Sequence, residues 1–539
     1  MTERDERILA NLIANKAETD PELDVLTFVS IADDGEYQQE IRTYPMLWQE
    51  GQKIAHALVA QGMVKGDRFA LLSQNHPEFV DAMVGSSIAG TVLVPVDSRT
   101  RGDKLVYMLS FVQCKGVICA DYALSQLLEI IDQVDALQWI WVIKTQEGVL
   151  PGLPAERSGK QIRWLSEILP AYASDLPVAV TDPDDVMQML YTSGTTGDPK
   201  AIEASYLRFF TVGTLGSILR LEPGDRPYTG LSLTHANAQL ITLGNILYMG
   251  LRGVISRKFT KSRLWDICRH YGCTMFNLLG GMTTALYSEA PKANDADNPV
   301  RYVLSAGMPA PIWGQFRERF GVEVFEFYGA AEGGLTFNPP GVGPVGSVGK
   351  APSTQQVRVV DKNGVDCPAG VQGEIIFRNA DGTAPSVSYY KNPQASALKT
   401  RDGWLRMGDF GHVDNDGWLY FDCRMGSGIR RNGDFINTPF IEKIIAEDPD
   451  VDDVFVYGVP AANGVPGEKD VVAVVVPRTQ AQFSPEKLFQ RCQAALEANF
   501  IPTYIQVMRE IPKTASEKPQ ERFCVADFNE YPEMVFTEK

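Results

Sequence analysis

The stretch Tyr191-Thr-Ser-Gly-Thr-Thr-Gly-Asp-Pro-Lys200 gathers chemistry densely. Gly194 and Gly197 let successive backbone N–H groups converge on an anion, while the hydroxyls of Thr192, Ser193, Thr195 and Thr196 and the ammonium of Lys200 add donors. A phosphate-binding loop fits that inventory. The spacing is G-x-x-G-x-x-K, and Ala201 stands where a Walker loop needs a magnesium-binding Ser or Thr. The plainer alternative is a Gly/Thr turn between a strand and a helix. Four hydroxyls and a lysine in so short a run weigh against it.

Other residues of interest look ordinary in isolation. Glu332 beside Gly333 and Gly334 reads as a solvated turn residue, Gly408-Asp409 as a turn or helix cap, and Arg424 and Lys518 as surface charges. Met425-Gly426-Ser427-Gly428 is a tight turn or a hinge.

The elements that must position these residues alternate between two periods. Leu47, Gly51, Ile54, Ala55 and Leu58 recur at helical spacing, and Phe69–Leu72 reads as a buried strand. A helix is predicted over Pro77–Ala89, a strand over Thr91–Val96, a helix near Lys104–Val112 and a strand over Gly116–Ala120. Such alternation predicts a parallel sheet covered on both faces. Thr145–Lys160 and Glu289–Pro299 read as surface excursions. Near the end, Val451–Val459 and Asp470–Val476 are strand-like and Pro485–Asn499 has helical periodicity.

With 539 residues, 44% of them hydrophobic and 22% charged, the chain is too long for one core and ordinary in composition, which excludes collagen-like, disordered and disulfide-scaffold classes. Its net charge of −17 opposes a nucleic-acid or anionic-lipid partner, so an anionic substrate needs a local positive site. The eight cysteines contain no C-x-x-C pair, as expected for reduced core thiols and a cytoplasmic setting. No apolar run reaches membrane-spanning length.

Residues 191–200 resemble the signature of the adenylate-forming superfamily, which includes acyl- and aryl-CoA synthetases, firefly luciferase and peptide-synthetase adenylation domains. Further segments resemble its motifs in order: Phe327-Tyr-Gly-Ala-Ala-Glu332, Gly403-Trp-Leu-Arg-Met-Gly-Asp409, Arg424–Ile436 and Pro512-Lys-Thr-Ala-Ser-Glu-Lys518. The details are most similar to the carnitine-CoA ligase and fatty acyl-CoA synthetase branches. The resemblance implies an α/β fold: a large N-terminal domain (1–423) of βα-layered subdomains with a β-barrel-like subdomain, a hinge (424–428), and a small mobile α+β lid (429–539). It implies an ATP-dependent, AMP-forming acid–CoA ligase using Mg2+ and coenzyme A, with a small-molecule carboxylic acid, ATP and CoA as partners. A homodimer is compatible with the sequence and not required by it.

Site roles follow from the same resemblance. Lys200 and the loop residues hold the β- and γ-phosphates. Glu332, with Thr192, holds magnesium. Tyr328 stacks on adenine, in a site shared with Phe327, Gly329, Ala306 and Gly307. Asp409 accepts the ribose hydroxyls, and Arg424 reaches the nucleotide. Lys518 bridges carboxylate and α-phosphate, a donor role worth about 3 kcal/mol at a transition state. Gly426 is the pivot and Gly433 lines the pantetheine tunnel. His235, in Leu233–Gln239, either gates the carboxylate's entry or is a hydrogen-bonded core histidine. Gly280, Gly281, Met282, Ala330 and Ala331 line an acyl pocket whose small residues suit a sizeable apolar acid.

The sequence departs from the family at Tyr206 (commonly histidine), Ala331 and Met407 (both commonly threonine), Ser427 (an acid) and Glu517 (a glycine, though glutamate occurs there in the carnitine-CoA ligase branch). Lys200, Glu332, Asp409, Arg424 and Lys518 are all kept. An acyl-AMP ligase loading a carrier protein, a luciferase-like oxygenase and a non-catalytic acyl or nucleotide sensor are the competing readings.

Overall fold

Short apolar strands alternating with amphipathic helices produce the layered sheets expected of them. The computed structural model describes residues 4–145, 152–169, 171–172, 174–192, 199–425, 428–431, 434–436, 438–462, 468–514 and 517–537. Two compact units result, Met1–Phe259 with Val387–Ala397, and Thr260–Ser386 with Leu398–Lys539.

In the first unit the helix Tyr44–Ala60 opens on Thr43, whose hydroxyl accepts the Met46 amide, with Pro45 in the first turn. The helices Pro77–Ala89 and Gly102–Phe111 then alternate with the strands Arg68–Leu72, Val92–Val96 and Gly116–Ala120. These strands pair in parallel, Arg68↔Val92 to Leu72↔Val96 and Phe69↔Gly116 to Leu72↔Cys119. They are buried almost throughout because helices cover both faces. The eight-stranded sheet runs Lys200–Ser205, Val186–Thr192, Val92–Val96, Arg68–Leu72, Gly116–Ala120, Trp139–Ile143, Lys160–Trp164, Glu156–Arg157.

In the second unit the parallel strands Met275–Leu279, Tyr302–Ala306 and Glu323–Ala330 are in register from Met275↔Tyr302 and Tyr302↔Glu323 onward. Gly333–Asn338 folds back antiparallel on the last of them. Carboxyl ends of parallel strands are where α/β sheets bind ligands, and here those ends carry Gly280, Gly307 and Tyr328. The β-rich subdomain consists of Gln355–Val360, Gly373–Asn379, Leu405–Val413 and Leu419–Arg424, antiparallel in that order.

The C-terminal segment is α+β. Its sheet runs Val451–Pro460, Lys469–Pro477, Tyr504–Val507, Val535–Thr537. Ile441, Ile445, Leu488 and Cys492, from the helices Thr438–Ala446 and Pro485–Ala495, share a core with Val471, Val475 and Ile505 of the sheet.

All eight cysteines are free thiols, and burial pushes those of Cys114 and Cys492 up to about 12, which leaves them unreactive. Among the described residues no helix is long and apolar enough to cross a membrane.

Candidate active site

The strands Glu323–Ala330 and Gly333–Asn338 are joined by two residues alone, Ala331 and Glu332, with Ala330↔Gly333 as the closing pair. Glu332 therefore stands at a hairpin tip, half-buried. Earlier on the same strand Phe327 points into the core and is buried, while its neighbour Tyr328 takes the opposite face by the period of two.

Tyr328 donates its hydroxyl to Oδ2 of Asp409 at 2.6 Å. Its ring lies 6.2 Å from that of Phe377 and 6.1 Å from that of Phe421. Asp409, 7% exposed, sits in a β-bulge. Glu374 pairs with Phe410 and Ile376 with Arg406, so Met407, Gly408 and Asp409 together oppose one residue of the neighbouring strand. Gly408 has φ +75°, a conformation open to glycine, and that turn aims the next carboxylate out of the ladder. Asp409 faces Arg424 across the adjoining strand pair, with Arg424 Nε 3.3 Å from its Oδ1. Each carboxylate oxygen thus has its own partner.

Lys518 joins this group from the C-terminal segment. The residue as a whole presents much of its surface to solvent, but protein crowds the ammonium end. That desolvation, with the like charge of Arg424, holds its pKa below the usual lysine value against the opposing pull of Asp409 and Glu332. Its loop is closed by hydrogen bonds: Thr514 N–H donates to the Lys518 carbonyl (2.9 Å), Glu517 N–H to the Thr514 carbonyl (2.9 Å), and Lys518 N–H to Thr514 Oγ1 (3.2 Å). Glu517 has φ +56°, a backbone conformation that glycine adopts at less cost than a residue with a side chain.

Glu326 lies just outside the motif that carries Tyr328 and Glu332. It is 1% exposed, and its carboxyl accepts the amides of Gly307 (2.5 Å) and Met308 (3.1 Å), pinning the loop after Tyr302–Ala306 beside Tyr328. Burial pushes its pKa up to about 8, against the amide donors. An acid within the apolar run Val324-Phe-Glu-Phe327, on a buried strand, is the signal in the sequence that could have found it.

The phosphate loop belongs to the first unit. Val186–Thr192 and Lys200–Ser205 are antiparallel, with Thr192↔Lys200 the pair nearest the loop. The loop therefore connects two strands, not a strand and a helix. Lys200 is exposed, its Nζ 5.2 Å from the centroid of the Tyr389 ring. Ser193, Gly194, Thr195, Thr196 and Gly197 lie outside the described residues, as do Gly426 and Gly433. His235 is half-buried, and its Nδ1 accepts the Asn237 amide at 3.2 Å, which puts the proton of the neutral ring on Nε2. A π-helical turn, Asn237–Leu243, follows, a feature common at functional sites. Gln239 of that turn accepts from the Gln188 side chain and donates to the Leu233 carbonyl (3.2 Å), fixing the loop that carries His235.

Of the expected site residues, the second unit gathers Tyr328, Glu332, Asp409, Arg424 and Lys518 around one another. Ala306 pairs with Leu279 at the adjoining strand ends, followed by Gly307 and Gly280. Gly329, Ala330 and Ala331 form the hairpin next to Glu332. Met282 is buried at 1% exposure, and Gly281 lies against the Lys518 loop. Thr192, Lys200 and His235 are carried by the first unit. A buried carboxylate with directed partners suits vicinal hydroxyls. A separate carboxylate on a tight turn suits Mg2+, which takes one or two carboxylates beside substrate phosphates. Two cations suit a polyanion.

Residues 13–386 match the family model described as AMP-binding enzyme, and residues 441–518 match the AMP-binding enzyme C-terminal domain. A medium/long-chain-fatty-acid–CoA ligase of Mycobacterium marinum is 29% identical over 85% of this chain and 86% of its own length. A crotonobetaine/carnitine–CoA ligase of Escherichia coli is 28% identical over 88% and 91%. Among solved structures, an anthranilate CoA ligase in complex with anthranoyl-AMP superposes with a TM-score of 0.82 at 21% identity, covering 99% of both chains. The o-succinylbenzoate–CoA synthetase of Bacillus subtilis, in complex with ATP and magnesium, gives 0.72 at 22% identity, covering 95% of this chain and 98% of its own. These last two share the fold.

Proposed function

This chain belongs to the AMP-binding enzyme family, and we propose that it is an AMP-forming acid–CoA ligase acting on an apolar carboxylic acid. In the first step a carboxylate oxygen of the acid attacks the α-phosphorus of ATP and pyrophosphate leaves. In the second, the CoA sulfur attacks the acyl carbonyl and AMP leaves. The observation that carries this reading is the convergence of Tyr328, Asp409, Arg424, Glu332 and Lys518, drawn from four sequence motifs, on one another.

Each residue has a task that its surroundings support. Asp409, held on both oxygens and nearly buried, is preorganised to accept the ribose hydroxyls, and Tyr328 presents its ring beside it for the base. Glu332 would hold Mg2+, which when bound would neutralise phosphate charge. Lys518 supplies a donor to the bridging oxygen as charge moves onto it, and Arg424 adds charge at the nucleotide. Thr192 and Lys200 flank the phosphate loop. His235, neutral with Nε2–H, is placed by Gln239 to meet a carboxylate. Residues 1–423 form the adenylation body and 429–539 the lid, with Gly426 as pivot and Gly433 on the CoA path.

The acid is of the fatty, branched, alicyclic or steroid-like kind. Ala330 and Ala331 add neither bulk nor charge, which suits the class named for the Mycobacterium marinum relative. Eight free thiols suit a cytoplasmic setting. The test is AMP formation by the purified protein with ATP, CoA and a panel of carboxylic acids. Acid- and CoA-dependent AMP supports the reading, and ATP left intact with every acid defeats it.

A further inference from the structure

We infer that the helix Gly280–Tyr287 is the seat on which the C-terminal segment docks for adenylate formation, with Gly281 as a positioning residue for Lys518 and Asp452 as the latch at the helix's far end. This rests on the reading of Lys518 given above.

At the near end the contact is one of backbone with backbone. A Cβ added to Gly281 would lie 2.8 Å from the carbonyl oxygen of Glu517 and 3.7 Å from Cδ of Pro519, the two residues flanking Lys518. A carbonyl held in a closed loop cannot swing aside as a side-chain tip can. Gly281 is helical and absent from the positive-φ glycines, so its own backbone accepts alanine, a better helix former than glycine. The lid loop is the element that requires its bareness. On this inference Gly281 belongs to the docking surface and not to the acyl wall, where the family resemblance puts it.

At the far end the contact is ionic. Asp452 Oδ1 receives Lys261 Nζ at 2.7 Å and Arg478 Nη1 at 3.1 Å. Arg478 also donates to the carbonyl of Ser288, just past the helix, at 2.5 Å, and the Ser288 hydroxyl donates to the Asp452 carbonyl at 3.3 Å. Asp452 and Arg478 belong to the C-terminal segment, whereas Ser288 caps the helix and Lys261 precedes the neighbouring helix Leu264–Tyr271. One eight-residue helix thus fits the lid by shape at one end and by charge at the other. Lys518 stays near Asp409 and Glu332 while both hold.

The test separates the half-reactions in the full-length chain. Gly281→Ala should slow acid-dependent pyrophosphate–ATP exchange by about tenfold or more, acting on kcat with the acid KM nearly unchanged. Thioester formation from a supplied acyl-adenylate and CoA should stay within about twofold, and the unfolding temperature should not fall. Asp452→Asn should slow exchange several-fold in the same pattern, and added salt should slow the parent but not this variant further. Equal losses in both half-reactions, an unchanged exchange rate, or a raised acid KM (the result for an acyl-wall residue) would overturn the inference. If Gly281→Ala fails to fold, Asp452→Asn decides by the same comparison. Lys518→Ala distinguishes the two levels. If it loses exchange while Gly281→Ala does not, the seat is wrong, and if it keeps exchange, the reading of Lys518 fails and the seat with it.

Discussion

Tyr328 and Asp409, 81 residues apart in sequence, are joined by a 2.6 Å hydrogen bond from phenol to carboxylate. Burial and the neighbouring negative charge push the Tyr328 hydroxyl's pKa well up, so it remains a donor throughout the working range. With Arg424 on the other oxygen, Asp409 is held in one orientation before any nucleotide arrives.

Removing that donor while keeping the ring should therefore weaken the nucleotide site without touching the acid site. Tyr328→Phe is expected to lower AMP affinity about tenfold, the usual scale of a hydrogen bond to a charged group, with the acid KM unchanged. Calorimetric titration with AMP checks it, and a change below about twofold would make the bond incidental to binding.

Lys518 gives a pH signature with a definite sign. Its pKa is held below the ordinary lysine value by desolvation and Arg424, and raised by Asp409 and Glu332. Pyrophosphate exchange should fall on the alkaline side at a lower pH than an ordinary lysine would cause. Arg424→Gln should move that limb upward and Glu332→Gln downward, whatever either does to the absolute rate. Limbs that stay put, or that move in the opposite sense, would show that another group titrates there.

The layered body of the protein is largely legible in its sequence. The strand Gly116–Ala120 and the helix Pro77–Ala89 have the bounds their sequence patterns predict, since short apolar runs and capped amphipathic stretches are local signals. Lys518, Glu332 and Asp409 can be chosen only through ordered motifs, since a lone charged residue in a turn has no local mark of function. Three relationships lie beyond such signals. Glu326 acts through amides of another strand's loop, Gly281 through a carbonyl far along the chain, and the hairpin around the phosphate loop depends on the pairing Thr192↔Lys200. Each joins residues that composition and period do not connect.

Glu326 predicts how stability varies with pH. Its carboxyl titrates near 8 in the folded chain against an ordinary 4.5. Its pKa is raised on folding, so the contribution is fully present below about 4.5 and is lost as pH rises through about 8. Glu326→Gln keeps an acceptor for Gly307 and Met308 and cannot ionise. The variant should gain on the parent progressively from about pH 5 to 8, by on the order of a few kcal/mol at most, and the difference should level off above that. Thermal unfolding across this range checks it, and a difference independent of pH would place the ionisation elsewhere.

Glu517 offers the sharpest balance of magnitudes. A side-chain-bearing residue at φ +56° costs about 1–2 kcal/mol, whereas glycine there brings an extra unfolded-state entropy of about 0.5–1 kcal/mol. The conformational term is the larger, so Glu517→Gly should stabilise the chain by roughly 0.5–1 kcal/mol. Glycine adopts the left-handed conformation readily, so the loop geometry that presents Lys518 is kept and exchange should remain within about twofold. Glu517→Val tests the same claim from the other side, because a β-branched residue fits this region worst. It should lower both the unfolding temperature and the exchange rate. Denaturant titration of the three forms gives the order Gly above Glu above Val if backbone strain governs the position. If Gly falls below Glu, contacts made by the glutamate side chain outweigh the strain.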